Sequence, residues 1–148
     1  MFKHILVPTD GTNLSTGAVK TAAKLASVFS AQLTGLHVVP SYSAPMYEEG
    51  TGPLTKVAAR EYKKAAQKRA EAVLEPVKKA AGYARVRCQT KFVTSDTPWA
   101  AIVEAAKEYK CDLIVMASHG RRGLAGLLIG SETNKVLSHT HTPVLVCR

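Results

Sequence analysis

Gly120, Gly123, Gly126 and Gly130 fall within the stretch "MASHGRRGLAGLLIGSETNKVL", Met116 to Leu137, which follows the apolar run "CDLIVM" and passes into helix-forming sequence. Glycine permits positive φ and close approach of backbone to a ligand. A helix start adds unpaired N–H groups and the positive end of the helix dipole, a natural place for phosphate. In that reading Gly120 supplies the turn, Gly130 lets an oxygen come close and Ser131 adds a hydroxyl donor. The stretch is not a P-loop, since no Gly-Lys-Ser/Thr follows, and it is not GxGxxG. The same spacing also suits a loose loop before a helix capped by Ser131. Spacing alone leaves both readings open.

Asp10 in "PTDG" has the chemistry to bond a ribose hydroxyl or hold a magnesium ion, and equally to form an Asx turn into the next helix. His119, Arg121 and Arg122 flank the glycine loop, and either arginine suits a charge-assisted bond to phosphate. Glu132 is in tension with that chemistry. It complements the dipole in the first helical turn, yet beside a triphosphate it repels unless a metal intervenes. His139 and His141 in "SHTHTP" lack a third ligand nearby and read as surface residues. Ser118 and His119 are adjacent in sequence, which is no evidence of a Ser-His pair in space. There is no nucleophile elbow, no HExxH and no pair of carboxylates at a loop mouth. Nothing argues for a dedicated catalytic apparatus.

The elements that would position these residues follow from the apolar pattern. Residues 4–10 read as a buried strand, 13–30 as an amphipathic helix on Leu14, Ala18, Ala22, Leu25 and Phe29, and 32–39 as a second strand. The Pro-, Gly- and Ser-rich segment 40–53 reads as a loop, followed by a helix over 54–81 that Pro76 should kink or interrupt. Residues 86–93 form strand three, "SDTPWAAIVEAAKEYK" a helix to about Lys110, 112–118 strand four, a helix starts near Ser131, and "TPVLVCR" is strand five. This βαβαβαβαβ order predicts a single domain over residues 1–148: a Rossmann-like α/β fold with a doubly wound five-stranded parallel sheet, order 3-2-1-4-5. Such sheets bind ligands at the carboxyl ends of their strands, at the switch point. Here that crevice lies between strands one and four, where Asp10 and the glycine loop meet.

With 148 residues, 46% of them hydrophobic, the chain is long enough for one packed core. No segment approaches the roughly 18 apolar residues of a membrane span, and "MFKHILVPTD" has no signal-peptide pattern, so a cytoplasmic location is expected. Cys88, Cys111 and Cys147, without CxxC spacing, read as structural thiols. The net charge of +9 raises nucleic acid as a partner. However, eleven Lys/Arg against three Glu lie between Lys56 and Lys91, mostly on one helix without interleaved aromatics, which reads as a solvated face.

Taken together, "ILVPTDGT", "LHVVP", "DLIVMASHGRRGLAGLLIGSETNKVL" and "TPVLVCR" resemble the universal stress protein family across essentially the whole chain. Its ATP-binding members carry G-x2-G-x9-G-[ST] after strand four. Gly120, Gly130 and Ser131 match, whereas Ala117 replaces the first glycine and Glu132 replaces a small apolar residue. The resemblance implies ATP, or AMP or ADP, with Mg2+. Asp10 would lie near the ribose or metal, Val39 and Met116 at the adenine, and Gly120, Gly130 and Ser131 at the phosphates. Pro8, Thr9, Ala117 and Ser118 complete the candidate set with His119, Arg121, Arg122 and Glu132. It also implies a homodimer through the edge strand 143–148, an exposed apolar edge that needs covering.

The expected function is a cytoplasmic stress-response protein in which bound nucleotide regulates partner docking, with at most very slow ATP hydrolysis and an unknown protein partner. Three alternatives stand beside it: a nucleotide-independent dimeric interaction module, a nucleic-acid binder, and a receiver-type phosphoacceptor drawing on Asp10 and Asp96.

Overall fold

The computed structural model of the chain describes residues 1–41, 52–119 and 129–148. Nine elements alternate: β1 His4–Pro8, α1 Asn13–Phe29, β2 Gln32–Val39, α2 Gly52–Ala84, β3 Cys88–Thr94, α3 Pro98–Glu108, β4 Leu113–Ala117, α4 Ser131–His139 and β5 Val144–Cys147. The strands form one parallel sheet in the order β3-β2-β1-β4-β5, as the sequence predicts. No described helix is long and apolar enough to cross a membrane.

The sheet is buried on two faces because successive strand residues point opposite ways. Ile5, Val7, Leu33 and Val115 pack with α1 and α2, through residues such as Ala22, Ala26, Leu74 and Val77. Leu6, Leu36, Ile114 and Met116 pack with α3 and α4, through residues such as Ile102, Ala106 and Val136. Strands covered on both sides read as continuous apolar runs, which is why β1, β2 and β4 are legible in the sequence.

Two helices depart from expectation. The buried stripe of α1 is Ser15, Ala18, Val19, Ala22, Ala23 and Ala26, while Leu14 is 45% exposed. Small residues face inward because α1 lies close to the sheet, and the larger apolar groups are left at the margin. In α2, Pro76 does not end the helix, which continues to Ala84. Proline leaves the Ala72 carbonyl without its N–H partner. Leu74, Val77 and Ala81, all buried against the sheet, hold the turns on either side in place. The eleven Lys/Arg between Lys56 and Lys91 are all exposed, which matches a solvated face.

The amino edge of the sheet holds a polar relay. Gln89 Nε2 donates to Thr34 Oγ1 at 3.0 Å, so the Thr34 hydroxyl proton can go to His4 Nε2, 2.6 Å away. Burial lowers the His4 pKa below its ordinary 6.5, against the opposing pull of the Tyr109 carbonyl and the Asp112 charge. Above pH 6.5 both folded and unfolded chains carry neutral His4. As pH falls below 6.5 the unfolded chain takes the proton first, so this group's contribution to stability is lost on acidification. Urea unfolding at pH 7 and pH 5 should therefore show a smaller loss for His4→Gln than for the native chain. An equal or larger loss in the variant would refute this assignment. Cys111, buried just before β4, has its thiol pushed up to about 12, chiefly by burial, which makes it an inert structural thiol.

Candidate functional site

The carboxyl ends of β1 and β4 lie side by side, since β1 pairs with β4 through Ile5–Leu113 and Leu6–Ile114. Beyond β1 the chain is fixed residue by residue. The Thr9 N–H donates to the Leu36 carbonyl at 2.8 Å, and its hydroxyl contacts the Ser15 hydroxyl at 3.0 Å and accepts the Gly11 N–H at 3.2 Å. The Thr9 carbonyl is 2.8 Å from Nδ1 of buried His37, which donates to it. Asp10 Oδ1 accepts the Thr12 N–H at 3.0 Å and the Thr12 hydroxyl at 2.8 Å. The Asx turn therefore forms, and Gly11 at φ 81° supplies its left-handed residue. Thr12 then caps α1 by accepting the Ser15 N–H. This turn presents half-buried Asp10 at the carboxyl edge of the sheet. Pro8 and Thr9 are buried beneath it.

The opposite wall is made by β4 and α4. Gly130, not Ser131, is the N-cap of α4, with φ −67° and no side-chain cap. It is glycine for reasons of space. Its N–H donates to the Ser118 carbonyl at 2.7 Å, and a Cβ there would sit 3.1 Å from that oxygen and 3.3 Å from His119 Cα. Thr133 Oγ1 donates to the Ala117 carbonyl at 2.9 Å, and the Ser118 N–H donates to the Cys147 carbonyl at 2.7 Å. Helix α4 thus starts directly against the end of β4. Among the described residues the N–H groups of Ser131, Glu132 and Thr133 meet no acceptor, so the first turn of α4 is an uncapped donor cluster. His119 Nδ1 contacts the Ser118 hydroxyl at 3.1 Å, while Nε2 is shut off from solvent without a hydrogen-bond partner. A buried polar atom left unpaired costs free energy, on the order of 1–3 kcal/mol, that a hydrogen-bonding ligand would recover.

Two departures in the sequence find physical explanations. Ala117 is not among the residues with positive φ, so its methyl introduces no backbone strain. Glu132 is engaged elsewhere: Oε2 accepts the Trp99 N–H at 2.9 Å and Oε1 lies 3.4 Å from Lys135 Nζ. Thr97, the N-cap of α3, makes no side-chain cap bond, so Glu132 performs that task from α4. Its charge is held at a helix N-terminus. Glu132→Ala should lower stability by about 0.5–2 kcal/mol, the usual value of a cap. Denaturant unfolding would check it, and a change within error would mean that the contact contributes nothing.

Val39, the last residue of β2, and Met116, one before the end of β4, are 5% and 6% exposed and lie on either side of β1. Strand alternation puts Val39 in step with Leu33 on the α1–α2 face, while Met116 belongs to the core under α3 and α4. They flank the crevice from opposite faces of the sheet. Gly120, Arg121 and Arg122 lie outside the described residues, as does most of the 40–53 loop. Asp96 accepts the Ser41 N–H at 2.9 Å. His139 is exposed, its ring 4.4 Å from that of Trp99 and tilted by 40°, and His141 is also exposed. Among the described residues no group of three metal-ligating side chains forms. Sequence reasoning did not single out His37, Ser15 or Thr133. The lone histidine within the apolar "LHVV" was the available signal for the first; the other two act through long-range contacts with no local pattern.

Comparison with known proteins places these features in company. The sequence pattern described as Universal stress protein family matches residues 1–148. Universal stress protein MJ0531 of Methanocaldococcus jannaschii is 34% identical, the match covering 100% of this chain and 83% of that protein. The solved structure of MJ0577 from the same organism is 27% identical with a TM-score of 0.82, covering 99% and 96% of the two chains. A universal stress protein crystallised in complex with cAMP is 27% identical with a TM-score of 0.71, covering 99% and 97%.

Proposed function

We propose that this chain, which belongs to the universal stress protein family, binds an adenine nucleotide, ATP or its AMP and ADP relatives, in the crevice between β1 and β4. The observation that carries this reading is the start of α4. Gly130 is pressed against the Ser118 carbonyl, the following N–H groups are uncapped, and His119 Nε2 is buried without a partner. Oriented N–H groups and a helix dipole are suited to phosphate oxygens. The relative crystallised with cAMP, at 27% identity, supports an adenine nucleotide as the ligand class.

In this reading Ser131, its neighbouring N–H groups and His119 hold phosphate. Asp10 takes a ribose hydroxyl or Mg2+, and Val39 and Met116 border the base. Glu132, bound to Trp99, stabilises α3 and keeps its charge away from the phosphates. The ligand acts by regulating what docks on the protein, which we place in the cytoplasm as a stress-response factor. ATP hydrolysis is very slow at most, and purified protein turning over ATP many times per second would contradict this. Calorimetric titration with Mg-ATP and Mg-GTP tests the binding. Heat from ATP that is absent with GTP supports it, and no heat at millimolar ATP from nucleotide-free protein favours the nucleotide-independent interaction module.

The same proposal includes a homodimer through residues 143–148. Strand β5 pairs with β4 on one side, and Leu145 is 39% exposed. An apolar edge of this kind is an association site unless covered. Sedimentation equilibrium should give a dimer that Leu145→Lys converts to monomer. An unchanged dimer in that variant would place the interface elsewhere.

A further inference from the structure

At the amino edge of the sheet, away from the start of α4, the amino ends of β1 and β2 and the turns that end α1 and α2 enclose an open groove of about 420 Å³. Three cationic residues, Lys3, Arg85 and Arg87, line it together with Ser27, Ser30 and Gln32. The main chain fixes the rim. The Gln32 N–H donates to the Lys3 carbonyl and the Leu33 N–H to the Arg87 carbonyl, each at 2.9 Å, so those two residues flank the start of β2. Asp112 reaches this edge too, but its two oxygens accept the N–H groups of Lys3 and His4. Among the described residues no carboxylate pairs with the three cations.

The backbone supplies a second observation. Ser30 and Arg85 have φ of 52° and 54°, the left-handed region, where glycine is the usual residue after a helix. A side chain at such a position carries a strain that glycine avoids; Lys110 after α3 shares it at φ 54°, so it is how these helices end, and at α1 and α2 it sets Ser30 and Arg85 on the groove rim. The turns also occupy the helix-end acceptors. Ala31 N–H bonds the Ala26 carbonyl, Ser30 N–H that of Ser27, Val86 N–H that of Ala81 and Arg85 N–H that of Gly82. These bonds use the turn N–H groups as well, so the donors left at the groove wall are chiefly the Lys3, Arg85 and Arg87 side chains. The negative ends of the α1 and α2 dipoles still point toward it. Those two ends carry roughly half a negative charge each, which the three cations outweigh, so the groove attracts anions and holds a dianion more strongly than a monovalent one.

We infer that this groove binds a phosphate group, free or esterified on a small molecule. It does not depend on the nucleotide reading, because the start of α4 lies against the carboxyl end of β4, at the other edge of the sheet. The test is thermal unfolding with millimolar inorganic phosphate and, separately, ribose 5-phosphate, each against sodium chloride at matched ionic strength. Both should raise the native melting temperature by several degrees above the chloride control. A larger shift with the ester identifies a phosphorylated metabolite as the ligand, and equal shifts identify free phosphate. Arg85→Gly should raise the basal melting temperature by removing the φ strain, yet abolish the phosphate-dependent shift. Arg87→Gln should abolish the shift with the basal value unchanged. No native shift beyond the chloride control overturns the inference. So does a shift that persists in both variants, which would place the phosphate away from this groove.

Discussion

Gly130→Val should abolish stabilisation by nucleotide. A ligand that binds only the folded state adds about 2.7 kcal/mol at a hundredfold excess over its Kd. For a chain of this size that corresponds to a rise of roughly 5–10 °C in melting temperature. In the variant the first added carbon already meets the Ser118 carbonyl at 3.1 Å and His119 Cα at 3.3 Å. These are backbone atoms and cannot rotate away. Valine's two further methyls must push α4 from the end of β4, breaking the 2.7 Å bond from Gly130 N–H to Ser118 and misaligning the donor cluster. The overpacking itself should cost about 1–3 kcal/mol without ligand. Gly130→Ala, which asks for a shift of a few tenths of an ångström, should keep part of the nucleotide effect. A Gly130→Val protein that folds and retains the full native shift would remove the start of α4 from the site.

Gly35→Val should be the most damaging single change to the fold. Helix α2 crosses β2 at this glycine so closely that a Cβ would lie 2.8 Å from Val77 Cγ1 and 3.1 Å from Cγ2. Val77 is fully buried and has no flexible end to swing aside. Inserting carbon into such packing costs about 1–3 kcal/mol even when small, so valine belongs at or above the top of that range. Urea midpoints would measure it. The physical cause is separable by a double-mutant cycle: Val77→Ala opens the space, so Gly35→Val should cost less in that background, with a coupling of about 0.5–3 kcal/mol. Strictly additive losses would mean that the contact with Val77 is not the reason glycine is needed.

Neither glycine's neighbour can be read from the sequence, and that defines what was legible. Order, type and pairing of the strands followed from local pattern, because a parallel sheet covered on both faces demands continuous apolar runs. The limits expected for β2 coincide with Gln32–Val39. The crevice between Asp10 and α4 followed from topology once the strand order was assigned. What escaped depends on contacts distant in sequence. Periodicity placed Leu14 inward, whereas the close approach of α1 to the sheet selects alanines. Pro76 reads as a kink or an interruption, but α2 continues through it, with Leu74, Val77 and Ala81 packed on either side. Glu132 looked like a repulsive charge beside phosphate, because its partner, the Trp99 N–H, is 33 residues away on another helix. His37 acts on Thr9 across 28 residues, so its role at the edge of the site is visible only when β1 and β2 are paired.

The most direct measurement is an amide and imidazole nitrogen NMR titration of the native protein with Mg-ATP. Phosphate seated on α4 should produce the largest shifts at the N–H groups of Ser131, Glu132 and Thr133, with His119 Nε2 moving in step at the same Kd. Amides at the groove near Lys3 and Arg87 should report separately, if at all. Saturating Mg-ATP that leaves Ser131, Glu132, Thr133 and His119 unmoved would contradict the account, whatever else in the spectrum changed.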